Sequence, residues 1–159
     1  MIRFDQGNHR FNYRVAGVAI HNNQVLLHQG KGESFWSLPG GRVEFGEEAA
    51  QTLKREMQEE LEIQIEVTRL LWVVENFFDY DNKNYHELSF YFLMLLPDTS
   101  KYLTQTGPYQ CAEAGSDLIF QWFPNQADVL STLPVYPSFL QTELQQLPES
   151  MLHRIHRDK

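Results

Sequence analysis

Glu56, Glu59 and Glu60 stand close together in the run KREMQEELEI, and their spacing is what could do chemistry. On a helix at about 100° per residue, Ala49, Ala50, Leu53, Met57 and Leu61 form one apolar stripe roughly 120° wide. Glu60 falls inside that stripe, Glu56 lies on its edge and Glu59 sits further round. Two carboxylates one helical turn apart therefore point toward the interior. Carboxylates crowded together away from water repel each other and lose solvation, so they must take up a proton or a cation. Oxygen ligands at i and i+4 suit a hard divalent ion such as Mg2+ or Mn2+. The competing reading is a solvated acidic face.

The elements that must position these side chains lie just upstream. Gly30 to Ser34 is a polar loop, and Phe35-Trp36-Ser37-Leu38-Pro39-Gly40-Gly41 follows it. Pro39 prevents ladder bonding, while the two glycines permit a tight turn and close access to backbone groups. Arg42 to Phe45 reads as a short extended piece. Gly46 is the expected helix N-cap, with Glu47 and Glu48 complementing the positive end of the helix dipole. Read alone, Arg55 is as consistent with a surface ion pair as with a role in a site.

The whole stretch from Gly41 to Ile63 resembles the signature of the Nudix hydrolase family, G-x5-E-x7-R-E-U-x-E-E-x-G-U with U aliphatic. The matching residues are Gly41, Glu47, Arg55, Glu56, Met57, Glu59, Glu60 and Ile63. One position departs, because Glu62 stands where the family has glycine. That position falls just past the helix end, where a left-handed backbone is cheapest for glycine.

The resemblance implies the Nudix fold, an α/β (α+β) architecture with a mixed β-sheet sandwiched between helices. It implies Mg2+ or Mn2+ held by Glu56 and Glu60, with Glu59 as a further or water-mediated ligand and a backbone carbonyl from Gly40 or Gly41. Arg55 would pair with Glu47 and hold the loop against the helix. The implied reaction is hydrolysis of the pyrophosphate bond in a nucleoside diphosphate linked to another group X. Its general base comes from the box or from a loop beyond it. Glu113 is the first candidate outside the box, followed by Asp117, Glu87 and Glu75. The alternative is a Nudix-like module that binds a nucleotide without cleaving it.

Composition bounds the rest. A chain of 159 residues, 42% hydrophobic and 13% aromatic, fits one domain over 1–159 with a substantial core. The formal charge of −8 argues against a nucleic-acid polymer as partner but not against a small polyphosphate, since a bound cation inverts the local sign. The single cysteine, Cys111, excludes an intrachain disulfide. The N-terminus has no apolar h-region, and the longest apolar run, near Phe90 to Pro97, is too short to span a bilayer, so the expected setting is the cytoplasm. A homodimer is common in the family, and this many aromatics could bury its interface.

Along the chain, Phe11 to Ile20 and Gln24 to Gln29 read as a hairpin around Asn22-Asn23. His21 and His28 near its ends read as structural or solvated. Ile65 to Asn76 and His86 to Leu96 are strands of the mixed sheet, joined by a turn-rich tip over Phe77 to Asn84. Phe77, Phe78 and Tyr80 either stack on a nucleobase or fill core. Phe77, Tyr80 and Glu75 are the candidate substrate contacts. Thr99 to Ser116 is a long polar connection, Leu118 to Phe123 a strand, and Pro124 to Leu133 a turn with a short helix. Leu140, Leu144 and Leu147 place a helix over Tyr136 to Leu147, stopped by Pro148. The basic tail, residues 150–159, is expected to fray.

Overall fold

Two hairpins set the framework of the computed structural model, which describes residues 1–104 and 106–158. Asn22 and Asn23 take left-handed backbone at φ 50° and 59°, folding β3 (Ile20–His21) onto β4 (Gln24–Gln29). Asp81 and Asn82 do the same at φ 50° and 61° between β6 (Glu66–Tyr80) and β7 (Lys83–Leu95). The expected tip over Phe77 to Asn84 is therefore only two residues long. Asp and Asn supply both left-handed positions, so Phe77 to Tyr80 remain in the ladder with Tyr80 opposite Lys83.

The larger sheet runs β1 (Arg3–Gln6), β2 (His9–Val18), β7, β6 and β10 (Leu152–Asp158), with β5 (Gly40–Arg42) added to β2. Its β2–β7 and β6–β10 pairs are parallel and the others antiparallel, so the sheet is mixed. The second sheet runs β3, β4, β9 (Ile119–Pro124) and β8 (Tyr109–Gln110). Leu53, Met57 and Leu61 of helix α1 (Ala49–Leu61) pack with Val15 and Met94 of the large sheet and Leu26, Phe120 and Trp122 of the small one. The opposite face of the large sheet, with Ala16, Trp72 and Tyr91, packs against Leu27, Val135, Phe139 and Leu140.

The second helical layer is slight. Only α2 (Ala127–Leu130) and α3 (Leu140–Glu143) form there, instead of a helix from Tyr136 to Leu147. Leu140 and Leu144 are fully buried as their spacing requires, but Leu140, Gln141 and Thr142 donate to carbonyls three residues back. The segment is therefore wound in tight turns that stop after one α-helical turn. The long connection also carries structure: a 3₁₀ turn at Lys101–Leu103, and β8 paired with β9.

Of the tail expected to fray, Leu152–Asp158 form a strand, and Lys159 lies outside the described residues. Leu152 to Asp158 pairs in parallel with Trp72 to Phe78. Its basic residues find partners that a charge count could not reveal. Arg154 pairs with Glu143 and lies 4.5 Å over the Phe139 ring, Arg157 lies 4.3 Å over Phe77, and His153 meets Glu75 at 2.7 Å. Asp158 accepts from the Ser138 hydroxyl at 2.5 Å and its backbone N–H at 3.0 Å. No helix among the described residues is long and apolar enough to cross a membrane.

Candidate active site

The site begins with the turn that delivers the chain into α1. Gly46 takes φ 80°, Glu47 N–H donates to the Glu44 carbonyl at 3.1 Å, and helical geometry starts at Ala49. Gly46 is therefore in the turn, and Glu48 is the N-cap. Its carboxylate accepts from the Gln51 backbone, while the Gln51 side chain accepts from the Glu48 N–H at 3.1 Å. Glu47 is turned away from capping because Arg55 claims it. Nε donates to Oε2 at 2.9 Å, Nη2 to Oε1 at 3.1 Å, and the Thr52 hydroxyl to Oε1 at 2.6 Å. The Arg55 hydrogen bond is the main reason that Glu47 titrates at about 2.

Glu56 and Glu60 project from the same helix toward β5. Glu56 is half-buried and lies against Gly41, where an added Cβ would come within 2.3 Å of the Glu56 carboxyl carbon. Gly40 is equally constrained, its hypothetical Cβ falling 1.9 Å from the Val15 carbonyl oxygen. The two glycines thus let β5 lie flat between β2 and the helix. Glu60 is 6% exposed and its Oε2 has no hydrogen-bond partner. Desolvation, reinforced by the charge of Glu56, pushes the Glu60 carboxyl up to about 8, and desolvation raises Glu56 as well. Arg55 Nη1 reaches Glu56 at 3.1 Å and Glu59, which stays exposed, at 3.3 Å.

A cavity of about 300 Å³ opens in front of this pair. Glu56 and Glu60 line it from the helix, Gly40, Gly41 and Arg42 from β5, Arg14 from β2 and Glu87 from β7. A hard cation fits the donor set: two adjacent carboxylates, one with a buried unpartnered oxygen, beside a glycine backbone. Among the described residues no three His, Cys, Asp or Glu side chains already converge as a cage, so waters or substrate oxygens would complete the shell. A second cavity, about 550 Å³, lies by His21, Ile65, Met94 and Trp122 and contains none of these carboxylates.

The expected residues outside the box divide. Glu113 sits in an exposed turn that Ala112 N–H ties to the Glu60 carbonyl at 2.7 Å, and its charge raises both Glu56 and Glu60. Glu87 faces the cavity, 7% exposed, accepting from Asn12 at 2.6 Å and Ser89 at 2.8 Å. Asp117 is exposed and does not line the cavity. Tyr80 shares a sheet face with Asn76 and Glu87, since residues paired directly across strands point the same way. Phe77 and Glu75, grouped with Tyr80 in the sequence, do not share its face. Both alternate to the other face, where Phe77 packs on His86 and Glu75 holds His153.

Arg14, Arg42 and His28 in the cavity wall went unassigned as site residues in the sequence. Burial and the charge of Arg14 bring the His28 imidazole down to about 3, so it is neutral there. Sequence distance hid them, and only strand register brings Arg14 opposite Arg42.

A NUDIX domain model matches residues 11–130. The chain belongs to the NUDIX domain family. It is 39% identical over 62 residues to YjhB of Bacillus subtilis (strain 168), provisionally assigned as an ADP-ribose pyrophosphatase, covering 39% of this chain and 30% of that protein. It is 35% identical over 77 residues to an RNA pyrophosphohydrolase of Ruthia magnifica subsp. Calyptogena magnifica, covering 46% and 43%. The chain thus spans less than half the length of these curated relatives. A NUDIX hydrolase from Nitrosomonas europaea superposes with a TM-score of 0.61 at 17% identity, covering 92% of this chain and 79% of that one, which shows the shared fold.

Proposed function

We propose that this chain is a divalent-metal-dependent hydrolase of the pyrophosphate bond in a nucleoside diphosphate linked to another group X. The observation that carries the reading is the Glu56–Glu60 pair in a cavity, with Glu60 buried and one of its oxygens unpartnered. A buried carboxylate pair is costly unless a proton or cation resolves it. Names of relatives point the same way, one being provisionally an ADP-ribose pyrophosphatase and the other an RNA pyrophosphohydrolase.

In this reading Glu56 and Glu60, with the Gly41 backbone and Glu59 in support, hold Mg2+ or Mn2+. The bound cation supplies charge neutralisation for the diphosphate and lowers the cost of ionising the attacking water. Glu47 and Arg55 fix the turn against the helix, so that the ligands keep their spacing as substrate enters. Glu113 accepts the proton from the attacking water, and Glu87, locked by Asn12 and Ser89, is the reserve candidate for that role. The substrate is a small nucleotide derivative, because a chain of charge −8 offers no stripe for a polymer. We place the enzyme in the cytoplasm, working as a single domain or as a homodimer.

The test is product release from a panel of nucleoside triphosphates, oxidised triphosphates, nucleotide sugars, ADP-ribose, NADH and dinucleoside polyphosphates. The chain is run beside Glu60→Gln with Mg2+ and with Mn2+. Cleavage of one class by the unsubstituted chain alone is expected. Tight binding of a panel member without turnover under either metal would instead make the chain a nucleotide-binding module.

A further inference from the structure

The cavity that holds the carboxylate pair also carries two arginines, one on β2 and one on β5. Arg14 and Arg42 are directly opposite each other across β2 and β5 and both line the cavity. Like charges facing each other across a strand pair destabilise it. A half-buried guanidinium cannot relieve this by losing its proton. Among the described residues neither arginine forms an ion pair.

Their polar contacts are modest. Arg14 Nη2 donates to the Leu38 carbonyl at 2.7 Å, and Arg42 Nη1 lies 3.8 Å from the Met1 sulfur. Of the nearby carboxylates among the described residues, Glu60 feels the charge of Arg14 without forming an ion pair with it, and three others are already engaged. Glu44 meets the N-terminal ammonium at 2.5 Å, Glu87 is held by Asn12 and Ser89, and Glu56 accepts from Arg55. One purely structural role is visible, that of Arg14 in bracing the glycine turn through Leu38. It accounts for one arm of one guanidinium, while Arg42 has the charge of Glu87 near it and no ion pair among the described residues.

We propose that Arg14 and Arg42 form an anion subsite that grips one phosphate group of a diphosphate, in the same cavity as Glu56 and Glu60. The planar N–H forks of guanidinium groups match phosphate oxygens in pairs, and two of them on adjacent strands present a surface to a single phosphate. The cavity then offers two chemically distinct sets of groups: carboxylates for a cation, arginines for an anion. A diphosphate with one phosphate on the arginines and the other on the cation has its two phosphorus atoms in different surroundings, and that asymmetry would decide which phosphate stays with which product. The assignment rests on the pyrophosphate reading for its ligand class but has its own test.

That test is the binding of methylenediphosphonate, whose P–C–P link cannot be hydrolysed, measured by calorimetry with Mg2+ and again with chelator. The proteins are the unsubstituted chain, Arg42→Gln, Arg42→Lys and Arg14→Gln, each checked for an unchanged melting temperature. Arg42→Gln carries the most weight, because it removes only a thioether contact from the fold. Affinity is expected to fall at least tenfold in Arg42→Gln and in Arg14→Gln, with Arg42→Lys in between. Binding within twofold of the unsubstituted chain in both glutamine variants would overturn the subsite, as would no binding by the unsubstituted chain. Arginine-dependent binding without cleavage of any nucleotide would keep the subsite and remove the hydrolase. Glu60-dependent cleavage with arginine-independent binding would do the reverse.

Discussion

Arg55 closes on Glu47 through two hydrogen bonds, 2.9 and 3.1 Å, that pin the turn at Gly46 against the second turn of the helix. The pair is partly buried, so its contribution exceeds that of an exposed ion pair but falls short of the full strength of a dry one. Arg55→Gln is expected to destabilise the fold by about 1–2 kcal/mol at pH 7. Because the Glu47 pKa is lowered from 4.5 to about 2, this stabilisation is present above pH 4.5 and disappears as the pH falls through 2. Urea unfolding at pH 7 and at pH 2.5 checks it. An equal difference between variant and parent at both values would mean that Arg55 acts through packing alone.

Glu60 has the opposite sign. Below pH 4.5 both folded and unfolded chains hold its proton; between 4.5 and about 8 the unfolded chain releases it while the folded chain keeps it. Without metal, stability therefore falls as the pH rises through that window. Glu60→Gln keeps the shape and has nothing to titrate. In chelator at pH 8 it should be more stable than the parent by roughly 2–4 kcal/mol, and near pH 4 the two should match. Mg2+ should close the gap at pH 8, since it stabilises only the parent through this carboxylate. Parallel melting curves across the whole pH range would remove Glu60 from its buried position.

Glu62 stands at φ 57° and ψ 38°, the left-handed cap that the helix end demands, with its N–H donating to the Gln58 carbonyl at 3.1 Å. The chain keeps the geometry and bears the strain. Glu62→Gly should raise stability by about 0.5–1 kcal/mol, the gain in backbone strain being partly offset by a more flexible unfolded chain. Its side chain is exposed, so turnover should not change. A destabilised variant in thermal melts would show that the Glu62 side chain makes a contribution larger than the strain.

Much of this was legible in the sequence, and the reason is locality. The apolar stripe of α1 and the inward Glu60 depend on residues within a few turns of one another, where a 3.6-residue period fixes direction, whereas the Arg55–Glu47 link was implied by the family resemblance alone. The Asn22-Asn23 turn was legible for the same reason. What the sequence hid is set by strand register. Arg14 opposite Arg42, Asn12 beside Glu87, and the tail along β6 join residues tens of positions apart. The tail was the hardest case, because its alternating histidines and arginines look like a solvated end until Glu75, Glu143, Phe77 and Phe139 are seen beneath them. Phe77 and Tyr80 show the limit within a single strand: their aromatic character was evident, but which face each takes depends on where the turn falls.

That face assignment yields the sharpest contrast in the molecule. Tyr80 is 40% exposed on the face that carries Glu87, its hydroxyl donating to Glu33 at 2.7 Å and its ring edge-on to Phe35, which in turn meets Tyr136. Three aromatic rings cluster there, and on the proposed reading they are where a flat base would stack. Phe77, three residues away, faces the other side beneath Arg157. Stacking on one ring is worth about 1–3 kcal/mol, so Tyr80→Ala should raise KM roughly tenfold or more with a smaller change in kcat. Tyr80→Phe keeps the ring and loses only the bond to Glu33, so it should stay near the parent. Phe77→Ala should leave KM unchanged, whatever it costs in stability. If Tyr80→Ala and Phe77→Ala shifted KM alike, the base would not be bound on the Tyr80 face, and the substrate would have to enter the cavity from the helix side.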